Sequence, residues 1–220
     1  MGLIAIGDIH GCLVTLENLI KKIAPTDEDE LVFIGDYIDR GPDSKGVIAY
    51  LMDLATQKRC VFLRGNHEAM MLDYLEDDPS GIWEANGGFE TLESYWKDWK
   101  PGQPKIPEDH IAFIQQTRLF YETADYFFVH GGLKPRFTIK ENLEYFSEDV
   151  FLWERTHLKT GSEQWEKTVV CGHTPLAKVL FLPKLISIDT GCVFSYVSHL
   201  GVLSAIRLPE QEIISLAFEG

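Results

Sequence analysis

Apolar residues in the first third of the chain fall into two patterns. Leu3-Ile4-Ala5-Ile6, Leu31-Val32-Phe33-Ile34 and Val61-Phe62-Leu63 are short unbroken runs, as strands buried on both faces should be. Between them, Leu13, Leu16, Ile20 and Ile23 recur at helical spacing, and so do Val47, Ile48, Leu51 and Ala55. Each set makes one apolar stripe on a helix. Pro25-Thr26-Asp27 closes the first helix, and Ser44 is a suitable N-cap for the second. Strand, helix, strand, helix, strand in series predicts a parallel sheet with right-handed crossovers.

From His67 to Thr117 the pattern is helical. Phe89, Leu92, Trp96 and Trp99 fall on one face and read as a core-packing stripe. Lys100-Pro101-Gly102-Gln103-Pro104 reads as a loop, and Pro107 suits the first turn of another helix with Ile111 and Ile114 inward. Beyond Thr117 strands dominate, at Phe127–Val129, Val169–Cys171, Leu185–Ile188, Val202–Leu208 and Ile213–Phe218. There is no repeat, low-complexity tract or linker. The fold class is α/β: one domain over residues 1–220, two sheets packed together with helices outside.

Composition then limits the partners. The net charge of −14, with no cluster of Lys and Arg, argues against nucleic-acid binding. An acidic surface repels anions at long range, so a site for an anionic substrate must supply its own positive charge. Cys12, Cys60, Cys171 and Cys192 form no C-x-x-C pair and read as reduced, packed side chains. No apolar run approaches the ~20 residues of a membrane span, and the N-terminus carries no basic targeting region. A cytoplasmic protein without membrane contact is the expectation; nothing in the sequence speaks to its oligomeric state.

The chemistry lies at the strand ends. Six predicted strands run into Gly7-Asp8-Ile9-His10-Gly11, Gly35-Asp36-Tyr37-Ile38-Asp39-Arg40-Gly41, Gly65-Asn66-His67-Glu68, His130-Gly131-Gly132, Gly172-His173-Thr174 and Asp189-Thr190-Gly191. Ligands of α/β sheets bind beyond the carboxyl ends of strands, so these residues suggest one shared site. Singly, Asp8, Asp36 and Asn66 could be turn formers; together with the histidines they read as metal ligands. Carboxylate, imidazole and amide oxygen without thiolate suit divalent manganese, iron or zinc. Asp8 and His10 can reach one ion, and Asp36 can bridge two. Four of the seven histidines lie in these motifs. His110, His157 and His199 read as structural or surface residues. Arg64 and Glu68 read as a structural pair, and Asp189 as a residue that fixes His173 or a neighbouring loop. Lys134 and Arg136 either reach substrate or belong to a solvated loop.

GDIHG, GDYIDRG, GNHE, HGG and GHT, in this order, resemble the phosphoprotein phosphatase branch of the calcineurin-like metallophosphoesterases. The stretch Trp83–Gly88 and Trp153-Glu154-Arg155 look most like the bacterial and phage-lambda-type protein phosphatases. The resemblance implies an α/β/β/α sandwich with a dinuclear site at the strand carboxyl ends. Asp8, His10 and Asp36 would hold one ion; Asp36, Asn66, His130 and His173 would hold the other. Manganese is the first choice. His67 would be the general acid, or alternatively a further ligand, with Asp39 orienting it. Arg40, Arg155 and Asn66 would bind the phosphate. The implied reaction is phosphomonoester hydrolysis by direct attack of a metal-bridging hydroxide, with a phosphoprotein or a small phosphoester as substrate. The leading expectation is a protein Ser/Thr phosphatase, favoured by Glu68 and Thr174. A dinucleoside polyphosphate hydrolase is the alternative, and a scaffold without turnover is the reading that the full ligand set opposes.

Overall fold

The computed structural model describes residues 2–76, 80–97, 99–102 and 105–220. The apolar runs become strands. β1 (Leu3–Ile6), β2 (Glu30–Phe33), β3 (Arg59–Phe62), β9 (Val202–Leu208) and β10 (Glu212–Ala217) form one five-stranded sheet in the order β10-β9-β1-β2-β3. β1, β2 and β3 are parallel, with Leu3 opposite Glu30 and Glu30 opposite Arg59; β9 runs antiparallel to β1. β4 (Phe120–Glu122), β5 (Tyr126–Val129), β6 (Thr168–Cys171), β7 (Leu180–Leu182) and β8 (Leu185–Ser187) form a second sheet, β4-β5-β6-β8-β7. Its centre, β5-β6-β8, is parallel, and its outer strands β4 and β7 are antiparallel.

Alternation along each strand sets the layers, because successive side chains point to opposite faces. Ala5, Val32 and Val61 meet Phe128, Val170 and Ile186 between the sheets. Ile4, Ile6, Leu31 and Phe33 point the other way, onto α1 (Leu13–Ile23) and α2 (Ser44–Gln57). Phe127, Val129, Val169 and Leu185 pack with Ile139, Phe151 and Trp165, beneath α6 (Ile139–Tyr145) and α7 (Glu148–Trp153). The architecture is the expected α/β/β/α sandwich. No described helix is long and apolar enough to cross a membrane.

Several local expectations are corrected. The cap of α2 is Asp43, whose carboxylate accepts from Gly46 N; the Ser44 hydroxyl instead accepts from Asp39 N. Pro107 is the residue before α5 (Glu108–Gln115), not part of its first turn. The aromatic stripe is not core: Phe89, Trp96 and Trp99 are exposed, and of the stripe only Leu92 is buried. A π-turn at Glu84–Gly88, with Gly87 at φ +109°, resets the helical register, so α4 (Phe89–Trp96) turns Thr91, Leu92 and Tyr95 inward and ends before Trp99. Gln103 and Pro104 of the expected loop lie outside the described residues. The short strands β4 and β7 were not foreseen.

Candidate active site

The carboxyl ends of β1, β2, β3, β5, β6 and β8 converge on one side of the two sheets and bring the expected residues together. The backbone there is unusual. Eight described residues other than glycine have positive φ, and five of them are His10, Asp36, Asp39, Arg40 and His173. Such conformations cost of order 1–3 kcal/mol each and persist where surrounding structure enforces them. The turn before Asp36 needs glycine: Gly35 sits at φ +103°, and a Cβ there would lie 2.6 Å from Gly65 N and 3.0 Å from His130 Nδ1.

Asp36 is at the centre and almost fully buried. Its Oδ2 lies 3.5 Å from His10 Nε2 and 4.0 Å from His67 Nε2; its Oδ1 lies 3.4 Å from His130 Nε2. His130 Nε2 is also 3.0 Å from Asn66 Oδ1 and 3.2 Å from His173 Nδ1. Two overlapping triads result, His10/Asp36/His67 and Asp36/His130/His173, each with ligand atoms within 4.8 Å of one another. Asp8 joins from the side: His173 N donates to its Oδ2 at 2.9 Å.

These residues fit divalent cations. The His10 and His130 Nδ1 atoms face the carbonyls of Ile38 and Ile34 at 2.8 and 2.9 Å. A carbonyl only accepts, so Nδ1 carries a proton and Nε2 is the ring atom turned toward the cluster, the orientation metal-ligating histidines adopt. Asp8 Oδ1 is buried with no hydrogen-bond partner, a cost that a cation would remove. Oxygen and nitrogen donors without thiolate complete the match.

The electrostatics are those of a crowded buried cluster. Burial opposes charge on Asp36, but His130, His67 and His10 outweigh it and hold the carboxyl well below its ordinary range. Burial also opposes charge on His130, yet Asp36 and Asp8 raise it to about 10. Burial and then Asp189 push Asp8 well up. Burial lowers His10 to about 3, helped by His67, and His173 to about 2, helped by His130.

Around this core, His67 Nδ1 meets Asp39 Oδ2 at 2.6 Å. Asp39 is fully buried and is caged by Trp83 Nε1, which donates at 2.9 Å, and by the Thr91 hydroxyl, which donates at 2.7 Å. The sequence reading missed both cage residues; the only signal was the Trp83–Gly88 stretch of the resemblance. Arg40 donates to His10 Nε2 at 2.9 Å, and Arg155 Nε to His173 Nε2 at 2.9 Å, so both guanidinium groups reach the cluster edge. Arg64 and Glu68 do not pair. Arg64 donates to Thr117 and Gln115, tying down the end of α5, while Glu68 accepts from the backbone N–H groups of Gly65, Asp36 and Tyr37. Asp189 accepts from Gly191 N and so fixes the loop after β8. Lys134 pairs with Glu154 and lines a basic recess with Arg136 and Lys159.

The calcineurin-like phosphoesterase family model matches residues 1–199. The chain belongs to the calcineurin-like phosphoesterase family. It is therefore a metallophosphoesterase, a hydrolase of a family that uses a dinuclear divalent metal site, and the two triads around Asp36 lie where such a phosphoesterase can hold it. Proteins named bis(5'-nucleosyl)-tetraphosphatase PrpE (asymmetrical) are similar to it from end to end. That of Oceanobacillus iheyensis is 28% identical, over 96% of this chain and 90% of its own, and that of Anoxybacillus flavithermus is 28% identical, over 96% and 92%. A solved structure described as a putative diadenosine tetraphosphatase superposes with TM-score 0.71 at 25% identity, over 100% of this chain and 94% of its own. A cold-active protein-tyrosine phosphatase of a psychrophilic Shewanella shares the fold, with TM-score 0.65 at 19% identity, over 99% and 78%.

Proposed function

We propose that this phosphoesterase hydrolyses dinucleoside polyphosphates such as diadenosine tetraphosphate. The observation that carries the reading is the end-to-end similarity to tetraphosphatases, over 96% of this chain. The two side chains behind the protein Ser/Thr phosphatase expectation turn their polar atoms inward. Glu68, which favoured it, is turned entirely into the backbone of the Gly35 and Gly65 turns, and Thr174 Oγ1 is buried without a partner. Neither side chain is presented to a substrate, so neither selects one.

In this reading Asp8, His10, Asp36, Asn66, His130 and His173 hold two divalent cations, with manganese the first choice and iron or zinc accepting the same donors. When bound, the cations neutralise phosphate oxygens and make water acidic enough to attack phosphorus. Arg40 and Arg155 grip the phosphate from opposite sides of the cluster, each guanidinium offering paired donors, and Asn66 contributes a further polar contact. His67 moves the proton. Burial pushes the Asp39 carboxyl well up, while the Thr91 and Trp83 donors pull it back toward the carboxylate form that accepts the 2.6 Å bond from His67 Nδ1. Burial lowers His67 to about 4, so Nε2 would take up the proton that the attacking water gives up, with Asp39 steadying the ring, and pass it to the departing oxygen. The test is product analysis with manganese-loaded protein. Diadenosine tetraphosphate should give unequal nucleotide products, at a kcat/KM well above that for phosphopeptides. Turnover of phosphopeptides alone would sink the reading. The chain works, in this proposal, as one domain in the cytoplasm.

A further inference from the structure

Beside the cluster, the loop after β8 holds two aromatic rings with no part in metal or phosphate binding. Gly191 starts a short 3-10 turn, Cys192–Phe194, with buried Cys192 as its anchor. Phe194 N donates to Gly191 O, Val197 N to Phe194 O, Leu200 N to Val197 O and Gly201 N back to Gly191 O, all at 2.9–3.0 Å. The loop is thus stitched along its length and closed at its base. At its tip stands Tyr196, 80% exposed, the most exposed large apolar side chain among the described residues. Its ring packs edge-on against Phe194, centroids 6.1 Å apart.

A lone exposed tyrosine on a loop is ordinary. Here a second feature ties it to the site: Phe194 is covered by the Arg40 guanidinium, 5.5 Å from the ring centroid, and the same guanidinium donates to His10 Nε2. Arg40 is locked in place, because its N–H donates to Gly87 O and a Cβ on Gly87 would strike Arg40 Cγ at 2.7 Å. A path of fixed groups therefore runs from the metal cluster through Arg40 to Phe194 and Tyr196. It opens into a recess of about 450 Å³ lined by Arg40, Asn86, Glu90, Val193, Phe194 and Tyr196.

We propose that this recess takes the nucleobase of the nucleotide whose phosphate Arg40 grips, with Tyr196 as the stacking face. The occupant follows from the lining. A flat uncharged ring suits an exposed aromatic face, which stacks on any base. Asn86 donates to Ile82 O, leaving its carbonyl oxygen free, and Glu90 adds a carboxylate; both accept, as the exocyclic amino group of adenine requires. The Glu90 charge disfavours a run of phosphates on this side, so the recess fits the base end of the substrate and not its polyphosphate chain.

The assignment rests on the nucleotide reading, and binding separates the two. Calorimetry on manganese-loaded protein compares adenosine monophosphate, ribose 5-phosphate and inorganic phosphate. Wild type should bind adenosine monophosphate about 10-fold or more tighter than ribose 5-phosphate, the range that one stacked base contributes. Tyr196→Ala should erase that advantage and Tyr196→Phe should keep it, with kcat/KM for diadenosine tetraphosphate falling by the same factor, chiefly through KM. If wild type leaves diadenosine tetraphosphate intact but the base-dependent advantage vanishes in Tyr196→Ala, the subsite stands and the dinucleotide reading falls. If adenosine monophosphate binds no tighter than ribose 5-phosphate, or Tyr196→Ala keeps the advantage, the subsite is overturned whatever the tetraphosphate does.

Discussion

Thr91→Val isolates the cage around Asp39. The Thr91 hydroxyl accepts from Asp39 N at 2.9 Å and donates to Asp39 Oδ1 at 2.7 Å. Valine keeps the shape and removes both contacts, together with the 2.8 Å contact to the Ser44 hydroxyl. A hydrogen bond to a buried charged group contributes about 1.5–3 kcal/mol; at about 2–4 °C per kcal/mol for a chain of this size, Tm should fall by roughly 3–12 °C. Burial already pushes the Asp39 carboxyl well up, and the Thr91 hydroxyl pulls it back. Without that hydroxyl the proton of the His67–Asp39 bond moves toward the carboxylate, and His67 loses its fixed Nδ1–H. The kcat should drop about tenfold, part of the ~10²–10⁴-fold that a positioned proton-transfer group supplies. The decisive assay is a double-mutant cycle with His67→Asn, reading kcat and metal content together. If Thr91 acts through Asp39 and His67, its effect on kcat disappears once His67 is gone. An undiminished drop in the His67→Asn background would show that Thr91 only supports the fold, and the cage argument would be refuted.

Three further outcomes follow from the cluster. His67→Asn should keep the metal and lower kcat by ~10²–10⁴-fold; loss of metal would instead make His67 a ligand, as its triad with His10 and Asp36 allows. Asp36→Asn should lose metal and activity together, since both triads share that carboxylate; full metal occupancy in the variant would refute a shared ligand. Metal affinity should rise steeply with pH. His130, held at about 10, carries a proton below that pH that a cation must displace, whereas His10 and His173, at about 3 and 2, are already neutral. Apparent affinity should therefore climb by at least ~tenfold per unit between pH 6 and 9 with proton release, and calorimetry in buffers of different ionisation enthalpy counts those protons; a flat affinity would contradict the charge assigned to His130.

The parallel strands could be read from the chain because burial on both faces leaves an unbroken apolar run. β4 and β7 could not: each is a three-residue antiparallel edge strand, too short to show a period. The aromatic stripe failed for a definite reason. α4 turns the face carrying Thr91, Leu92 and Tyr95 to the core, which leaves Phe89 and Trp96 outside it, and the helix ends at Trp96, before Trp99. The strand-end residues were legible because each donor is placed by its own strand. Partners supplied by distant segments were not: Trp83 and Thr91 lie 44 and 52 residues beyond the Asp39 they cage. Arg64 and Glu68 misled for the opposite reason. Their spacing suits an ion pair on a helix, but Arg64 precedes α3 (Asn66–Leu75) and Glu68 folds back to cap it.

The placement of Arg40 connects these points. It has φ +68°, follows Asp39 at φ +73°, and holds that turn only because Gly87 lets the π-turn close against its backbone. The same π-turn sets the register that delivers Thr91 to Asp39 and places Asn86 and Glu90 beside the recess. In the proposed function metal ligation belongs to the sheet edges, whereas positioning of His67 and the base contact both depend on one inserted turn. Under the proposed function, selection among phosphoesters rests on residues 83–91 and 192–201, which can change without moving a residue at a strand end.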